Sequence, residues 1–207
     1  MRMISPKMIS ALALGSALLI GTAQATPITF TFSGNGGGTA NGIVFNGPFT
    51  FVFTGNTTNI DSSGAPFYRL SNLGGTFTEG AFSANLTSTN AIVATASAAT
   101  PRINFFNTTF DNGLGINDPS LASYQLATSF GPLTVTAPGT ATSFLTPTFN
   151  GVGDGFATSG GLVEITSDTS LTFTAVVGAP EPASLALITT GLFGLAVIRR
   201  RFRRPVA

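Results

Sequence analysis

The sequence predicts an all-β protein: an antiparallel β-sandwich or jelly-roll-like ectodomain, with a signal helix before it and a C-terminal transmembrane helix after it. Three observations predict this. Apolar and polar residues alternate with period two in several segments of the middle of the chain. Phenylalanine occurs 19 times and tryptophan never, so Phe supplies the bulky core. The long uncharged apolar runs flanked by basic residues lie only at the two ends. The expected organisation is therefore residues 1–25 as signal peptide, 26–178 as ectodomain and 179–207 as tail.

At the N-terminal end, Arg2 and Lys7 make a positive start. Met8–Ile20 is a 13-residue apolar run, and Ala23-Gln24-Ala25 places small residues at the −3 and −1 positions of a cleavage site after Ala25. The alternative, an uncleaved anchor, needs a longer apolar run.

Strands follow. Ile28, Phe30 and Phe32 share one face of the first, Phe49, Phe51 and Phe53 one face of the second, and Leu171–Val177 repeats the pattern. Further strands are expected at Gly75–Thr78, Ala81–Thr87, Ala91–Ser97, Ile103–Phe106, Leu133–Ala137 and Leu162–Thr166. Turns are expected at Gly34–Thr39, Asn59–Pro66, Asp111–Pro119 and Asn150–Gly155. No helical period occurs before Pro182, and no fixed-period repeat supports a solenoid. Alternating Phe reads as core and alternating Thr as solvent-facing strand; a threonine array binding ice or glycan is the alternative.

Charge is polarised. Between Thr26 and Ala179 stand Arg69 and Arg102 against Asp61, Glu79, Asp111, Asp118, Asp154, Glu164 and Asp168; two positive and seven negative charges leave −5. A nucleic-acid partner is not expected, because no basic patch is available to neutralise phosphates.

Chemistry is sparse. The chain has no Cys and no His, and the region Thr26–Ala179 has no Lys. The usual general base, activated nucleophiles and zinc ligands are missing, no Ser-His-Asp triad can be built, and disulfides are impossible. Two carboxylates can hydrolyse a glycoside, but the acids show no pairing motif. The expectation is no enzyme and no cofactor. Gly34–Gly38 lacks the Lys-Ser/Thr ending of a phosphate cradle and reads as a flexible loop. Asp111, Asn117 and Asp118 crowd oxygen ligands and are the weak candidates for calcium; an Asx/Gly turn explains them without metal. Three Asn-X-Thr sequons, at Asn56, Asn85 and Asn107, are inexpensive in a Thr/Asn-rich chain.

At the C-terminal end, Ala183–Ile198 is a 16-residue uncharged run, roughly 24 Å as helix and short of a ~30 Å hydrocarbon core. Snorkelling arginines and local thinning cover the difference. Arg199, Arg200, Arg201, Arg203 and Arg204 then stop translocation by the positive-inside rule. Before this run, Pro180 and Pro182 hold Glu181 on stiff, extended backbone, which suits either a protease recognition element or a linker opening a helix.

Pro180-Glu181-Pro182, the short apolar helix and the terminal arginine cluster together resemble the PEP-CTERM sorting tail, which is also labelled an ice-binding protein C-terminal domain. Ala179 departs mildly from the commoner valine. The resemblance implies a bacterial surface or extracellular-matrix protein. It implies an exosortase-type membrane protease as partner, a precursor held in the inner membrane, and an exopolysaccharide setting. The tail alone carries it, so a glycan-, ice- or calcium-binding adhesion module stays open as an alternative role for the ectodomain.

Overall fold

Alternating phenylalanines build the central hairpin. β1 (Pro27–Ala40) and β2 (Ile43–Asn56) pair antiparallel along their whole length, with Phe30 opposite Phe53 and Phe32 opposite Phe51. These four rings are fully buried, and the intervening Thr and Ser side chains point the other way. The connection is Asn41-Gly42, at φ 51° and 76°. Positive φ at both central residues is what a type I′ turn requires, and its twist matches that of the strands.

The structure, a computed structural model, describes residues 26–107, 112–136, 142–146 and 155–179. The expected signal segment 1–25 with Ala23 and Ala25, Asp111, and the tail from Pro180 onward lie outside the described residues. The remaining strands are β3 (Asp61–Gly64), β4 (Phe67–Glu79), β5 (Phe82–Asn85), β6 (Asn90–Thr95), β7 (Arg102–Asn107), β8 (Asn112–Asn117), β9 (Phe130–Thr136), β10 (Thr142–Thr146), β11 (Phe156–Thr158) and β12 (Gly161–Val177). Two short 3-10 helices, Thr57–Asn59 and Pro119–Ser123, are the helical pieces among the described residues.

All pairings are antiparallel, and the sheet runs β10-β8-β7-β6-β4-β2-β1-β12-β11. It folds over at β4. Residues Phe67–Leu73 pair with β6, whereas Gly74–Glu79 pair with β2. Between the two halves the register slips at Ser71/Leu73 and Asn72 sits at φ 58°, a bulge that turns the strand from one layer into the other. One layer holds β5, the second half of β4, β2, β1 and β12, with β9 and β11 on β12. The other holds β3, the first half of β4, β6, β7, β8 and β10. β10 also lies beside β9 and β12, so the sandwich nearly closes on itself. The first half of the chain is a meander. From β8 to β11 successive strands alternate between layers, a jelly-roll habit confined to that half.

The core lies between the layers. Phe105 of β7 reaches across with ring centroids 4.8 Å from Phe32, 4.7 Å from Phe51, 4.8 Å from Phe53 and 5.1 Å from Phe156. Ile92, Ile103, Leu114 and Ile116 complete its layer.

Three expectations are corrected. Asn59–Pro66 is not a turn across its length, because Asp61–Gly64 is β3, paired with β4. Gly34–Thr39 is no loop: it is the second half of β1, paired with both β2 and β12. A Cβ on Gly36 or Gly38 would run into the backbone carbonyls of Ser167 and Glu164, so the glycines let β12 approach closely, with register shifts beside them. Asp111–Pro119 is likewise no turn across its length, because Asn112–Asn117 is β8, bounded by β7 and β10. Outward Gly113 and Gly115 leave only Leu114 and Ile116 to carry the period-two signal.

Candidate functional site

The start and the end of the folded unit meet. Ile28 of β1 pairs with Val177 of β12, and Gly178 N donates to Pro27 O at 2.8 Å. Thr26 O accepts from Thr57 N at 3.0 Å. Residues Thr26 and Ala179 therefore leave the unit Thr26–Ala179 at the same pole. Two residues, Gly178 and exposed Ala179, separate the last strand from Pro180.

The calcium candidates divide. Asp118 caps the 3-10 helix Pro119–Ser123: its Oδ1 accepts from Ser120 N at 2.8 Å and from Ser120 Oγ at 2.6 Å. That is the Asx-capped turn of the simpler reading. Asn117 sits at the end of β8, opposite Arg102 and Thr142. The remaining acids among the described residues are spread out: Asp61 on β3, Glu79 at the end of β4, Glu164 and Asp168 on β12. Among the described residues no three His, Cys, Asp or Glu gather into a metal-holding group. Hydrogen bonds from Ser63, through its side chain and its backbone, and the charge of Arg69 hold the Asp61 carboxyl below its ordinary range. Glu164 Oε2 accepts from Thr39 Oγ1 at 3.2 Å.

The outer faces of the two layers differ in chemistry. On the β1 layer, register aligns Thr134, Thr172, Ser33, Thr50, Thr78 and Ser83 across six strands. Neighbouring hydroxyls bond along this row, Thr134 to Thr172 at 2.8 Å and Ser33 to Thr50 at 3.2 Å. On the β7 layer, register aligns Phe67, Thr95, Arg102 and Asn117 across β4, β6, β7 and β8. Arg102 Nε donates to Thr95 Oγ1 at 3.2 Å. A groove of about 450 Å³ lies at the end of this row, between Ala98–Pro101 and Asn117–Pro119, with Arg102 on its wall. One row over, the Arg69 guanidinium lies 5.5 Å above the Phe106 ring. Sequence reasoning missed both rows, because rows across strands exist only once the register is set.

Among the described residues no helix is long and apolar enough to cross a membrane. Neither the curated proteins nor the solved structures contain a match to the chain. One family model does match, that of the PEP-CTERM protein-sorting motif, over residues 179–201. The match begins where the folded unit ends and spans Pro180-Glu181-Pro182, the apolar run and the first arginines. Residues 179–201 are thus a PEP-CTERM protein-sorting motif, and the chain carries the tail of an exported protein sorted by an exosortase.

Proposed function

We propose that this chain is a non-enzymatic surface or matrix protein, exported under a cleaved signal peptide, held transiently in the inner membrane by residues 183–198 and released to the cell surface by an exosortase acting at Pro180-Glu181-Pro182. The motif match at residues 179–201 carries this reading. The fold suits a display device, since the end that leads into the tail lies beside the start of the folded unit at one pole, leaving the opposite end of the sandwich remote from the tail. The absence of His and Cys from the chain and of Lys from Thr26–Ala179 supports the non-enzymatic part.

Glu181 is the residue for a cationic pocket to recognise, because charge-assisted hydrogen bonds are the strong ones. The arginines Arg199, Arg200, Arg201, Arg203 and Arg204 keep the tail's end on the cytoplasmic side. The test is a C-terminally tagged precursor produced with and without an exosortase. Loss of the tag only when the enzyme is present supports processing; equal retention in both strains leaves the tail as an anchor alone. A second reading, that the ectodomain binds a glycan, is favoured by the aromatic and polar row on the β7 layer.

A further inference from the structure

We propose that the row Phe67–Thr95–Arg102–Asn117, together with the groove at its end, is a binding site for a polysaccharide chain. The inference rests on the glycan-binding reading of the ectodomain and is independent of how the tail is processed.

A sugar chain offers two recognisable chemistries: flat faces of C–H groups and pairs of vicinal hydroxyls. The row offers the complement of each. Phe67 is 48% exposed, and it presents an apolar platform of the kind aromatic side chains supply at binding surfaces. Beside it, the bond from Arg102 Nε to Thr95 Oγ1 fixes the plane of the guanidinium across β6. A planar fork of donors held in place suits paired hydroxyl oxygens. Asp118 stands on the groove wall with both of its capping bonds received by Oδ1. A groove of about 450 Å³ falls within the range of small-ligand sites.

A second planar group extends the surface. Arg69 reaches from β4 across β6 to lie over Phe106 of β7. Two strand steps and one two-residue step separate the Cα atoms of Arg69 and Arg102 by about 12 Å, so a chain lying obliquely across the strands meets both. Between them Asn104 Oδ1 is buried without a hydrogen-bond partner among the described residues.

The charges decide which polymer fits. Arg69 is opposite Asp61 on β3, and Arg102 shares its groove with Asp118. The face is locally balanced, which gives a phosphate backbone or an anionic membrane no excess of cations to bind. Neutral polysaccharide is the ligand class this balance favours. The hydroxyl row on the other layer has no ring and no charge, and serves as the internal control.

The experiment uses the full-length chain in a sugar-free detergent, titrated calorimetrically with xylan and glucomannan as neutral chains and with alginate as a uronate chain. The proposal expects binding to at least one neutral chain that persists in roughly 1 M salt, where the Debye length is near 3 Å. Phe67→Ala and Arg102→Ala should each weaken it about tenfold, the scale of a lost aromatic or arginine anchor. Thr50→Ala, on the hydroxyl row of the other layer, should leave it unchanged. An unchanged melting temperature confirms that each variant is folded. Absence of binding to both neutral chains overturns the proposal, as does binding to alginate alone that vanishes in high salt. Wild-type affinity in the Phe67 and Arg102 variants overturns it too, and none of these outcomes bears on tail cleavage.

Discussion

Phe105 touches the rings of Phe32, Phe51, Phe53 and Phe156, and they come from β1, β2 and β11. Truncating it removes four ring contacts that join the two layers and leaves a cavity that close-packed rings cannot easily refill. Phe105→Ala is expected to cost ~3–5 kcal/mol in urea unfolding; a loss under ~1 kcal/mol would show that the layers are held elsewhere. Tyr124 makes the opposite case. Its hydroxyl is buried with no hydrogen-bond partner among the described residues, and burial pushes its phenol above the ordinary tyrosine range. The folded state therefore favours the neutral phenol. Stability from this source is intact below the unfolded value near pH 10 and falls as pH rises beyond it. Tyr124→Phe should stabilise the protein by roughly 1 kcal/mol, by removing an orphaned hydroxyl, and should flatten the alkaline arm of its stability profile. Steeper alkaline loss in the variant would contradict this. The burial of Phe30, Phe32, Phe49, Phe51 and Phe53 was legible from period-two spacing, because alternation is a local property of one strand. The position of Phe105 among them was not, because β7 and β2 are far apart in the chain.

At the scale of the element, glycine decides whether β12 can join. Gly36 and Gly38 lie where β1 and β12 backbones come closest, and a methyl group on Gly38 would collide with the Glu164 carbonyl. Gly38→Ala should destabilise by ~1–3 kcal/mol, as overpacking against backbone does. Gly47→Ala, with nothing within 4 Å of the added carbon, should be neutral or slightly stabilising. Equal melting temperatures for the two variants would remove the close approach as the reason for the glycine run. The same run shows why it misleads as sequence: composition marks it as loop, while its function is to make room for a strand more than a hundred residues later. The Asn41-Gly42 turn is a different kind of omission. Asn-Gly between alternating segments is a strong local hairpin signal, readable from the sequence, and the expected turn was placed at Gly34–Thr39 instead. The bend of β4 at Asn72 had only a weak mark, the following Gly74-Gly75 pair.

For the whole molecule, pairing of β1 with β12 brings the two ends of the folded unit together. The expected mature protein begins at Thr26, and N-terminal sequencing from a secreting host checks it; recovery of a chain starting at Met1 would sink signal removal. Glu181→Gln keeps the size of the side chain and removes its charge, so the precursor is expected to accumulate in the inner membrane with its tail attached, read by a C-terminal tag. Deleting residues 199–204 should instead weaken anchoring. If Glu181→Gln is processed at the wild-type rate, the carboxylate is not what the membrane enzyme reads.

The sequence by itself determined the all-β class, the phenylalanine faces and the sorting tail, since each is written in contiguous residues: a period of two, or a proline-acid-proline step followed by an apolar run and arginines. Only the tertiary structure decided which strands share a layer, where β4 turns from one to the other, and that Phe67, Thr95, Arg102 and Asn117 form one row. The physical reason is that a row across a sheet is made by register, and register is set by long-range pairing and core packing rather than by any single segment.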